Sequence, residues 1–204
     1  MPIFNNMEIK RFVLGPMETN TYLLSIGNDA ILIDPASKPE KLINILENYK
    51  LNAILLTHGH FDHIKAVDGL YEYYQCPVYM NMADEYLARD KYSGSEFGYV
   101  SYISCPINDL KEGTMNIGPF NFEVIFTPGH SEGSVIYVFE DSIFTGDTLF
   151  RLTVGRTDLK GSDPRKLKES LRIFKNFDKD YKIYPGHDMP SLLSFELSNN
   201  YFLR

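Results

Sequence analysis

Thr57-His58-Gly59-His60-Phe61-Asp62-His63 is the stretch on which the reading of this chain turns, because four metal-ligand side chains crowd into it. On an extended segment His58 and His60, two apart, project to the same side, while Asp62 and His63 fall where the chain turns toward a helix. A solitary histidine is most often a hydrogen-bonded core or surface residue, but that explanation does not account for this spacing. Just before it, Ala53–Leu56 is a short all-apolar run suited to a buried strand, so the cluster stands at a strand end.

The same arrangement recurs twice farther along. AILLTHGH, FEVIFTPGH and YKIYPGH each run from an apolar strand into a glycine and a histidine, the last two ending at His130 and His187. Glycine lets the backbone bend sharply where a strand stops, so ligands from distant positions can meet at one edge. Imidazole and carboxylate suit zinc, and three protein ligands plus a water leave the open position that catalysis requires. His58, His60, Asp62, His63, His130, Asp147 and His187 are too many for one tetrahedral ion and suit two. A carboxylate can bridge ions about 3.5–4 Å apart, and a water held there is acidified to a pKa of about 7, giving a hydroxide nucleophile.

Around these motifs the period alternates. Tyr22–Ile26 and Ala30–Ile33 flank a Gly27-Asn28-Asp29 turn as a hairpin, and Pro39–Tyr49 has helical spacing. Ala66–Tyr74 reads as a helix, Pro77–Met80 as a strand and Met82–Arg89 as a helix, an α/β alternation. Residues 90–106 lack periodicity and read as an irregular loop close to the site. Phe120–Phe126, Ser134–Phe139, Ser142–Phe144 and Tyr181–Tyr184 are strand-like, and Asp163 N-caps a helix over 163–177 with Pro164 in its first position.

With 204 residues, 44% hydrophobic and 23% charged, the chain reads as one globular domain, residues 1–204. Its opening residues lack a basic stretch followed by an apolar run, and no segment approaches the roughly 20 apolar residues that cross a bilayer, so a cytoplasmic protein without membrane partners is expected. A net charge of −7 argues against nucleic-acid partners. Cys76 and Cys105 match no dithiol or zinc-ribbon spacing and are expected to be buried and reduced. The 14 Tyr and 14 Phe are spread along the chain and read as core.

These residues resemble the metallo-β-lactamase superfamily. Its HxHxDH signature stands here as HGHFDH, followed in family order by TPGHSEGS, TGDTLF and YPGH and preceded by LIDP. The resemblance implies a four-layer αββα sandwich with two metal ions, zinc by preference with iron or manganese tolerated. It further implies that His58, His60 and His130 hold one ion, that Asp62, His63 and His187 hold the other, and that Asp147 bridges them, with Asp62 also positioning the hydroxide. Asp34 is either a turn-starting carboxylate before Pro35 or an outer group that orients the metal loop, and the resemblance favours the latter.

Asp147 stands where the best-known zinc β-lactamases carry cysteine, and His60 where the flavodiiron branch tends to carry glutamate, so neither activity is expected. GDTLF followed by VGRTDL is most similar to the glyoxalase II-like group, which hydrolyses thioesters such as S-lactoylglutathione. After His187 too few residues remain for the C-terminal helical domain with which two-domain members grip glutathione. The expected partner is a small-molecule thioester, with Arg156 the candidate contact to its carboxylate and Lys160, Lys166 and Lys168 read as solvated. The rival in another reaction class is a persulfide dioxygenase-like iron oxidoreductase, and other ester, lactone or phosphoester hydrolysis is the remaining alternative.

Overall fold

In the computed structural model, which describes residues 7–204, the strands form two six-stranded sheets. The first runs β1 (Glu8–Leu14), β2 (Thr19–Ile26), β3 (Asp29–Ile33), β4 (Lys50–Leu55), β5 (Val78–Met80), β6 (Asn108–Asp109), each strand beside the next. The second contains β7 (Gly113–Ile117), β8 (Phe120–Phe126), β9 (Val135–Phe139), β10 (Ser142–Gly146), β11 (Lys182–Pro185) and β12 (Ser191–Leu192), again in sequential order. Helices α1 (Pro39–Ile45), α2 (Phe61–Ile64), α3 (Val67–Tyr74) and α4 (Glu85–Ala88) belong to the first half, and α5 (Pro164–Ser170) and α6 (Leu193–Asn199) to the second.

Strict alternation along the strands builds the layers. Tyr22, Leu24, Ile31, Ile33, Ala53 and Leu55 point inward to meet Phe122, Val124, Tyr137 and Phe144 of the second sheet. The intervening Leu23, Leu32, Ile54 and Leu56 point outward against Leu42 of α1 and Val67 and Leu70 of α3. On the far side Ile136, Ile143 and Ile183 pack against Leu167 of α5 and Leu193 of α6. Strands buried on both faces read as continuous apolar runs, and two sheets facing each other with helices outside give the αββα sandwich. Each fully buried Leu, Ile or Phe in these layers contributes about 1.5–3 kcal/mol by leaving water.

Strand direction places the site. β3 and β4 are parallel; β8 and β10, each antiparallel to β9, share a direction with β11. The segments bearing Asp34, His58, His130, Asp147 and His187 all follow C-terminal strand ends, so they emerge along one edge. At the end of β10 a register shift between Phe144 and Gly146 redirects the chain just before Asp147.

Several boundaries differ from the sequence reading. α1 stops at Ile45 instead of Tyr49, because β4 begins at Lys50, whose N–H donates to Asn28 O. The 82–89 helix is a 3-10 turn over Met82–Asp84 followed by α4, and the helix expected over 163–177 becomes 3-10 from Leu171. Asp163 caps α5 as expected, accepting from Arg165 and Lys166 N–H groups. The short β6 and β12, the edge strands β1 and β7, and α6 were not assigned from sequence. Residues 90–106 contain one 3-10 turn, Ser95–Phe97, and no strand. Among the described residues no helix is long and apolar enough to cross a membrane.

Candidate metal centre

All five histidines and three aspartates converge at the sheet edge. His58, His60 and His130 form one trio and Asp62, His63 and His187 another, each with ligand atoms within 4.8 Å of one another. Asp147 reaches both. Its Oδ2 lies 3.4 Å from His130 Nε2 of the first trio and 3.5 Å from His187 Nε2 of the second, while Oδ1 lies 3.4 Å from His63 Nε2.

Outer contacts fix these side chains. Asp34, at φ 48°, accepts from Thr57 N–H (2.8 Å) and Thr57 Oγ1 (2.6 Å) and faces His63 Nδ1 at 2.9 Å. Both its oxygens are thereby engaged, so it orients the 57–63 segment, although it also lies close enough to His58 and His63 to form a third acidic-imidazole group. His130 Nδ1 meets the Arg156 carbonyl at 2.8 Å and His187 Nδ1 the Met17 carbonyl at 3.0 Å. A carbonyl only accepts, so each Nδ1 carries the proton and each Nε2 turns a lone pair inward. Thr19 Oγ1 donates to Asp62 Oδ2 at 2.9 Å.

The residues fit metal on physical grounds. His58 Nε2, His63 Nε2 and Asp147 Oδ1 are buried and have no hydrogen-bond partner among the described residues. Buried polar atoms are ordinarily satisfied, so three orphans at one focus call for a ligand. His60 Nδ1 and His130 Nε2 face each other at 2.9 Å. Burial holds His58 well below its ordinary pKa and His60 at about 3, so both are neutral, the form that binds a metal. Burial also disfavours charge on His63, but Asp62, Asp147 and Asp34 outweigh it and raise its pKa to about 10, a measure of how strongly this cluster attracts positive charge.

Of the three glycines in the strand-glycine-histidine pattern, only Gly129 adopts a left-handed backbone, φ 145°. Gly59 and Gly186 serve close approach: a methyl at 186 would collide with Asp147 Oδ1.

A cleft of about 540 Å³ opens onto the centre. Phe61, Leu87 and Phe97 contribute apolar lining, Arg156 and Lys160 contribute charge, and the 90–106 loop reaches the cleft through Asp90, Ser93 and Phe97. Lys160, read as solvated, is exposed on this lining with its ammonium 5.2 Å from the Tyr86 ring. The Arg156 guanidinium forks onto Asp158 at 2.6 and 2.7 Å while its carbonyl holds His130. Sequence reasoning missed Thr19, Asn20 and Asp84. Asn20 Nδ2 donates to Pro185 O and Asp188 O, bracing the His187 turn. The polar run Glu18-Thr19-Asn20-Thr21 opening an apolar strand was the available signal.

Residues 14–187 match the sequence profile of the Metallo-beta-lactamase superfamily. The probable metallo-hydrolase YqgX of Bacillus subtilis (strain 168) is 38% identical over 173 residues, covering 81% of this chain and 82% of that protein. Crystal structures of the B3 metallo-beta-lactamase BLEG-1 (36% identity, TM-score 0.90, 96% of this chain and 99% of that one) and of TTHA1623 in a di-iron-bound form (36%, 0.89, 95% and 100%) share the fold. On the matched profile, the relatives and the two-sheet architecture alike, this chain belongs to the metallo-β-lactamase superfamily.

Proposed function

We propose that the chain is a binuclear metal-dependent hydrolase of thioesters of the hydroxyacylglutathione type, with zinc the working metal. His58, His60 and His130 would hold one ion, Asp62, His63 and His187 the other, and Asp147 would serve both. Such a pair supplies Lewis acidity and an activated water at neutral pH.

The observation that carries the thioester reading is that all five histidines of the chain lie in the centre, which leaves no imidazole as general acid. A thiolate departs without a proton, whereas an alkoxide or amine needs one. The chain's own groups do the positioning: Asp34 and Thr57 steady His63, the Met17 and Arg156 carbonyls fix the inward lone pairs of His187 and His130, and Thr19 orients Asp62. The apolar wall of Phe61, Leu87 and Phe97 suits the acyl side of a substrate, and Lys160 with Arg156 suits the carboxylates of a thiol such as glutathione.

The test is elemental analysis paired with hydrolysis of S-lactoylglutathione before chelation, after it, and after zinc restoration. About two metal ions per chain and chelator-sensitive turnover support the reading. Two metals with turnover of a β-lactam instead would move the substrate toward that of the BLEG-1 relative. The di-iron-bound form of TTHA1623 bears on the metal and not on the reaction; iron in a relative keeps an iron oxidoreductase as the second reading. One iron per chain, oxygen uptake and no hydrolysis would decide for that second reading.

A further inference from the structure

Asp84 is fully buried, yet no lysine or arginine pairs with it among the described residues. Its carboxylate is satisfied by neutral donors: Oδ2 accepts from Gly59 N–H at 2.9 Å and Ser131 Oγ at 2.6 Å, and Oδ1 from Gly133 N–H at 2.6 Å. A buried carboxylate is costly unless hydrogen-bonded, so it holds these donors firmly. Gly59 sits between His58 and His60, and Ser131 directly follows His130. One carboxylate therefore ties together the two loops that carry the whole first trio.

The glycines bear this out. A Cβ at Gly59 would stand 2.7 Å from Asp84 O, and one at Gly133 2.7 Å from Asp84 Cγ, while neither residue has a positive φ. Both are glycine because Asp84 occupies the space, not because the backbone turns there.

Resting on the binuclear reading above, we infer that Asp84 is a positioning residue that sets the distance between the His58–His60 and His130 loops, and so tunes the first metal site alone. The second trio is braced elsewhere, by Thr19 at Asp62, Asp34 at His63 and the Met17 carbonyl at His187.

Asp84→Asn keeps the shape but, whichever way the amide turns, aims an NH₂ group at a backbone N–H. Cobalt(II) titration of the metal-free protein against a competing chelator, followed by visible absorption, reads both sites without any substrate. The expected result is one site at wild-type affinity and the other weakened about 10- to 100-fold. The absorption component lost should be the one that His60→Ala also loses, with the circular dichroism of the native fold retained. Should Asp84→Asn not fold, Ser131→Ala removes one donor from the same carboxylate and should weaken the same site by a smaller factor. Two wild-type affinities in the folded variant, or equal weakening of both, would overturn the inference, since a merely structural residue affects both sites together. Wild-type protein binding no cobalt would overturn the binuclear reading and this inference with it; two ions in the wild type and an unaffected variant would overturn the inference alone.

Discussion

Asp34 illustrates how far a single residue could be read. Its place before Pro35 left a turn-starting role and an orienting role open; in the structure its carboxylate accepts from Thr57 and faces His63. Asp34→Asn should lower metal affinity and turnover about 10- to 100-fold, because an amide NH₂ must oppose the Thr57 N–H or disturb the His63 tautomer; a metal titration matching wild type would refute the orienting role. The convergence of the histidines and Asp62 was legible because the chemistry of metal sites restricts residue type. Asp84 was not, because a lone aspartate in an amphipathic stretch looks like any solvated carboxylate, and its only trace was a pair of glycines whose backbone needs no glycine. The two cysteines are a further prediction at this scale. Burial pushes the Cys76 thiol up to about 11, and burial with Asp68 alongside pushes Cys105 up to about 12, so both stay protonated near neutrality. Iodoacetamide at pH 7.5 should leave both unlabelled in the native protein and label both in denaturant, as mass spectrometry would record; rapid native labelling of either would contradict its burial.

Among the elements, legibility followed apolar periodicity. β2, β3, β9 and β10 were found because their faces are buried and β8 because buried Phe120, Phe122 and Val124 alternate with polar residues, whereas β1 and β7 are edge strands with mixed polar faces, and β6 and β12 are two residues each. Their pairing is imposed by neighbours and not by local pattern. The 90–106 loop was correctly read as irregular and close to the site, but its attachment was invisible in sequence. Phe61, between His60 and Asp62, is stacked by Phe97 at 5.7 Å and Tyr99 at 6.2 Å between ring centroids, both 18° from parallel. Asp68 of α3 anchors the far end by accepting from Ser104 and Cys105 N–H groups. Phe97 is 44% exposed and lines the cleft, so its ring is available to substrate more than to the core. Phe97→Ala should therefore cost less than about 1 kcal/mol of stability and leave metal content at wild type. It should raise KM for an acyl thioester several-fold with kcat little changed, the pattern of lost uniform binding. A fall in kcat with unchanged KM would place Phe97 in the chemistry instead.

At the level of the whole molecule, the two sheets are joined by an apolar interior and by the cluster at their edge. The interior includes directed contacts across the sheets, among them Tyr22 Oη donating to Pro185 O and Tyr137 Oη donating to Leu56 O, both at 2.6 Å. Tyr137→Phe strands the Leu56 carbonyl and should cost about 1–3 kcal/mol, read as a shift in the urea midpoint; an unchanged midpoint would mean the carbonyl finds another donor. The cluster is a different kind of join. Its side chains come from both sheets, His58, His60 and His63 after β4 and His130, Asp147 and His187 after strands of the second. Without a cation the buried atoms His58 Nε2, His63 Nε2 and Asp147 Oδ1 lack partners, and Asp34, Asp62 and Asp147 crowd around His63. Metal that binds this arrangement and not the unfolded chain stabilises the fold by mass action, about 4 kcal/mol when free metal exceeds the dissociation constant a thousandfold. For a chain of this size each kcal/mol moves the melting temperature roughly 2–4 °C. Chelation should thus lower it by roughly 8–16 °C, and stoichiometric zinc should restore it. In Asp147→Ala, which removes the group facing both trios, most of that metal-dependent increment should disappear. Calorimetric scans of the metal-free and zinc-loaded forms give the answer directly: equal melting temperatures in protein verified to have lost and regained metal would mean that the sheets need no ion to hold their shared edge.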